Sequence, residues 1–100
     1  MPMFFFMFKI RPTLTNPEYA QVSGGMASLF VLADDSAEAS RRAVEHVTKA
    51  AWEIIGTEMT GGVDKEGCTT WEQEALYAKA ESFGIACCYN LGHGGAPKFN

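Results

Sequence analysis

The 100-residue chain has no apolar run near the roughly 18 residues that a membrane-spanning helix needs. It also lacks any block of like charges, any CxxC or HxxxH spacing, and any glycine-rich loop placed to open a helix after a strand. Each absence removes a class of function. The eight basic residues, Lys9, Arg11, Arg41, Arg42, Lys49, Lys65, Lys79 and Lys98, are scattered, and the net charge is −4. Neither nucleic acid nor an anionic membrane is therefore an expected partner. Cysteine is scarce and odd in number: Cys68, Cys87 and Cys88 make a poor disulfide framework, which points to a reducing, cytoplasmic setting. With His93 these thiols carry zinc-binding atoms, but successive strand residues point to opposite faces, so Cys87 and Cys88 do not readily share an ion. The expectation is no metal, no cofactor and three thiols acting as small hydrophobes. His46, between Glu45 and Val47, reads as a solvated helix residue.

What remains is an ordinary globular composition, 47% hydrophobic and 20% charged, of a size that supports one core. The opening MPMFFFMFKI has no basic segment ahead of its apolar run, and Lys9 and Arg11 come after it, so it reads as a strand rather than a secretion signal. Pro12 ends that strand. Phe4, Phe6, Phe8 and Ile10 line one face, and Met3, Phe5, Met7 and Lys9 the other. After turns at Asn16-Pro17 and Gly24-Gly25, MASLFVLA is a second strand, again apolar on both faces.

Asp35 and Glu38 stand at capping-box spacing before a helix striped by Ala43, Val44, Val47, Ala50 and Ala51, with Glu38–Arg42 and Glu45–Lys49 pairs on its polar side. WEIIGTEMT is a third strand closed by Gly61-Gly62, and VDKEGC a loop or short edge strand. Thr70 and Gln73 open a second helix, striped by Trp71, Ala75 and Ala78 with Leu76, Ala80 and Phe83 beside them, and Gly84 stops it. IACCYN is the last strand. The expected fold is α+β: two layers, a four-stranded mixed or antiparallel sheet and two helices in the order ββαβαβ. Residues 1–90 form one domain and 91–100 a loose tail. If VDKEGC pairs back, the segment from Ala27 onward takes the element order of a ferredoxin-like fold.

MPMF at the start resembles the tautomerase family, in which an amino-terminal proline of depressed pKa acts as general base. The resemblance implies that Pro2 would be the catalytic group, exposed by loss of Met1. It covers four residues and then departs, since that family continues into a long helix where this chain has Pro12, Asn16-Pro17 and Gly24-Gly25. The stronger signal is a surplus of apolar strand faces. Helices on one side of a sheet leave the other set open, and Met3, Phe5 and Met7 are the residues expected there. Helices on opposite faces would instead bury both sets. The reading is a non-enzymatic interaction or assembly domain, homodimeric through that face or bound to another protein. The alternative is a small-molecule enzyme or a carrier of an apolar ligand, using Pro2 or the Cys87/Cys88 thiols.

Overall fold

The computed structural model describes residues 1–91 and 98–99. Strands β1 (Met3–Pro12) and β2 (Gly25–Leu32) form an antiparallel pair, followed by α1 (Ser36–Lys49), β3 (Trp52–Val63), α2 (Trp71–Phe83) and β4 (Ile85–Leu91). A two-residue strand, β5 (Lys98–Phe99), pairs with Cys88 and Tyr89 of β4. All pairings are antiparallel, in the order β3-β1-β2-β4-β5. The α+β class and the ββαβαβ order are as expected. Of the stretch expected as a tail, Leu91 is a buried residue of β4, while 92–97 and 100 lie outside the described residues.

The layering differs from the two layers expected, because the helices pack on opposite faces. Ala39, Ala43 and Val47 of α1 bury Phe6, Phe8, Ile10, Leu29 and Val31 in one core. Leu76 and Ala80 of α2 bury Met3, Phe30, Cys68 and Ala86 in a second, smaller one. Strand alternation divides each strand between the two cores, so Cys87 lies in the first and Cys88 packs against the second.

Local chemistry explains the element ends. The Asp35 carboxylate accepts from the Glu38 amide at 2.8 Å. The Glu38 side chain pairs with Arg41 at 3.2 Å rather than with Arg42, whose guanidinium instead donates to the carbonyls of Leu32 and Gly84. Glu45–Lys49 forms at 3.1 Å. At α2 the full Thr70–Gln73 capping box is present, and Gly84 ends the helix at φ +85°, a conformation that favours glycine.

Two sequence readings need correcting, and the open choice at VDKEGC resolves to the loop. Gly61-Gly62 does not close β3 but lies within it, the strand running on to Val63. VDKEGC forms a 3₁₀ turn over Lys65–Gly67 because the Asp64 carboxylate accepts from Gly67 N at 2.9 Å, and this leaves out the strand that the ferredoxin-like comparison required. The helix stripes are narrower than expected: Val44, Trp71 and Phe83 are exposed.

Candidate functional site

The two faces of the sheet are not covered equally. Helix α1 packs on β1, β2 and β3, whereas α2 packs on β2 and β4. On the α2 side the β1–β3 half of the sheet is therefore left open. Three of its residues decide its character: Phe5 and Met7 on β1 are half-buried, and Met59 on β3, opposite Met7, is 56% exposed. Of the residues expected on an open face, Phe5 and Met7 reach it. Met3 is 3% exposed and belongs to the α2 core.

Phe5 shows how this surface is shaped. Its ring meets Phe30 edge-on at 5.3 Å, and Phe30 meets Tyr77 of α2 at 5.9 Å. The Phe5 ring is thus engaged on the β2 side, away from Gly61, its partner on β3. An open groove of about 290 Å³ follows, lined by Phe5, Phe30, Met59, Gly61, Gly62, Val63, Cys68 and Gln73. Beyond Met7 the same side of the sheet becomes charged, with Lys9 paired to Glu58 at 3.6 Å and Arg11 to Glu53. The result is an apolar patch with a polar rim at one end.

Strand β3 is the edge of the sheet, and from Thr57 to Gly62 every residue is exposed. Two irregularities, between Met7/Phe8 and Lys9/Ile10, set Glu58 and Ile55 out of register with β1; Met59–Val63 pairs regularly. Sequence reasoning missed this edge because Gly61-Gly62 reads as a terminator. The usable signal is that TEMTGGV carries no proline and continues the β-prone run beyond the glycines.

Among the described residues the other candidate groups are not assembled for chemistry. Burial pushes the Cys87 thiol up to about 12, outweighing a hydrogen bond from Tyr89 that favours the thiolate. Cys68 is raised by burial and by Glu74 and Asp64, and Cys88 by burial and Glu72. All three thiols are free and held protonated at neutral pH, the reverse of what a nucleophile needs. His46 is half-buried rather than solvated, and its pKa is lowered by burial and by Lys79. Pro2 is exposed, its carbonyl accepting from Ala33 N at 3.2 Å, so its nitrogen lacks the apolar enclosure that a base of depressed pKa requires. His93 lies outside the described residues. Among the described residues no cluster of three or more His, Cys, Asp or Glu could hold a metal ion, and no helix is long and apolar enough to cross a membrane. No family model, no curated protein and no solved structure matches the chain.

Proposed function

We propose that the chain is a non-enzymatic interaction and assembly domain that pairs with a second copy through the open β1–β3 half of its sheet. The observation that carries the reading is the uneven cover of the α2 face, which leaves Phe5, Met7 and Met59 together at the surface. Contiguous apolar patches on small proteins usually serve recognition. An apolar centre bordered by the Lys9–Glu58 and Arg11–Glu53 pairs has the layout of a protein interface. Protonated, free thiols suit a reducing cytoplasm and remove the main support for cysteine chemistry.

The test is the solution mass by light scattering over a dilution series, comparing the parent with Met7→Lys and Phe5→Lys. A half-buried lysine can carry its ammonium to water along the strand, so Met7→Lys should keep its fold. The expected result is a parent dimer that Phe5→Lys, which replaces the ring beside Gly61, converts to a folded monomer, with Met7→Lys as the milder probe of the same face. A parent that stays monomeric throughout overturns the reading, and the groove would then be tested as a site for an apolar small molecule.

A further inference from the structure

We infer that the second copy joins edge to edge, β3 against β3, in an antiparallel register centred on Thr60, so that Met59 of each copy fills the groove over Gly61 of the other. The inference rests on the self-assembly reading above and specifies its contact.

Gly61 and Gly62 are the observation that starts it. Glycine inside a strand weakens it, and is retained where the backbone needs a positive φ or where something approaches closely. Among the described residues neither reason applies. Both residues have ordinary strand backbone, and a Cβ built on either meets nothing within 4 Å. Gly25 provides the contrast, since a Cβ there would collide with the Asn90 carbonyl of the neighbouring strand. The space over Gly61 is the floor of the groove beside Phe5, at the free edge of the sheet. An approach by a second copy accounts for what the described residues do not.

Symmetry narrows the approach. A two-fold axis normal to the sheet preserves its faces, so two identical antiparallel strands must be centred on a residue, not between residues. Beyond the irregularity at Glu58, the regular stretch is Met59–Val63. Centred on Gly61, the pairing sets Glu58 against Asp64 and leaves two glycines facing over an empty groove. Centred on Gly62, it sets Met59 against Lys65. Centred on Met59, the two methionines face each other and the groove stays unfilled. Centred on Thr60, the large Met59 meets the small Gly61, Thr60 meets Thr60, Glu58 meets Gly62, and no charge faces its like. Met59, Gly61 and Phe5 then stand in a row across three strands on one face, with the methionine sulfur able to reach the Phe5 ring. The pairing also satisfies an exposed edge that would otherwise offer its backbone groups to any strand.

Two substitutions test the contact. Paired Cα atoms across an antiparallel ladder lie about 4.5–5.5 Å apart, inside the range a disulfide spans. Under mild oxidation Thr60→Cys should form a 60–60 intermolecular disulfide faster than Gly61→Cys or Gly62→Cys, identified by peptide mass mapping against the parent's own three thiols. Gly61→Val places a β-branched side chain in space that is empty within the chain, so the monomer should fold at least as well as the parent. It also occupies the position of the incoming methionine and should weaken dimerisation by about tenfold or more, read by light scattering. A parent dimer in which Gly61→Cys cross-links instead of Thr60→Cys overturns this register. A dimer unaffected by Gly61→Val and without cross-linking at any of the three positions overturns the edge contact while leaving self-assembly standing. A monomeric parent overturns both.

Discussion

Cys87 carries the clearest residue-scale consequence. It is fully buried in the α1 core, and burial holds its thiol near 12 against 9.0 for an exposed thiol. A thiol whose folded-state pKa is raised contributes fully to stability below the unfolded value, and the contribution is lost as pH climbs from about 9 toward 12. Three pH units correspond to about 4 kcal/mol at most, reached only at the top of that window. Urea unfolding of the parent and of Cys87→Ala at pH 7 and pH 10.5 should therefore give a smaller alkaline loss for the variant, even though it starts less stable for want of a sulfur's volume. Equal losses would mean that the thiolate reaches solvent without unfolding. Native-state labelling with a thiol reagent should agree, Cys87 reacting at the global unfolding rate and half-exposed Cys88 sooner.

At the scale of elements, the join between α1 and β3 depends on a distant loop. Ala51 sits at φ +66°, a left-handed conformation costing an L-residue about 1–2 kcal/mol. Its carbonyl accepts from Thr13 N at 3.0 Å, Thr13 Oγ1 at 3.0 Å and Asn16 Nδ2 at 2.9 Å, and buried Asn16 in turn accepts from Glu18 N at 2.8 Å. The β1–β2 loop thereby fixes the strained turn that launches β3. Asn16→Ala should cost about 1–3 kcal/mol by leaving these groups unpaired, whereas Ala51→Gly should gain up to about 1 kcal/mol by removing the strain. Denaturant midpoints at matched slopes would check both, and a stabilising Asn16→Ala would refute the account. Turn chemistry at Asn16-Pro17 was legible in the sequence, as were the Thr70–Gln73 box and the Gly84 stop, because all of these are local. The role of Asn16 was not, since its partner lies 35 residues away. The same limit explains Arg42, assigned by spacing to Glu38 but engaged with carbonyls that tertiary packing brings near.

For the whole molecule, period-two alternation made two apolar strand faces legible, and with them Phe5 and Met7 as surface candidates. It could not assign a helix to each face, because alternation counts faces and does not say which way a connection crosses the sheet. Hence Met3, which shares its face with Phe5, is covered while Phe5 is only half-covered. The unequal cover also predicts unequal stability. The α1 core gathers Ile10 of β1, Leu29 and Val31 of β2 and Val47 of α1, each essentially inaccessible, with Trp52 of β3, whereas α2 contributes only Leu76 and Ala80 as buried residues. Trp71 and Phe83, at the ends of α2, remain exposed. Opening α2 therefore uncovers less apolar surface than global unfolding, so it should behave as a separate low-energy opening. Native-state hydrogen exchange at low protein concentration should show α2 amides exchanging through a sub-global event while β1, β2 and α1 exchange only on global unfolding. Leu76→Ala should speed the α2 amides by about 30-fold or more, as loss of a buried leucine costs at least about 2 kcal/mol. Val47→Ala should instead speed the β1, β2 and α1 amides and leave the α2 opening unchanged, and a single uniform exchange class for both helices would show that the two cores unfold as one unit.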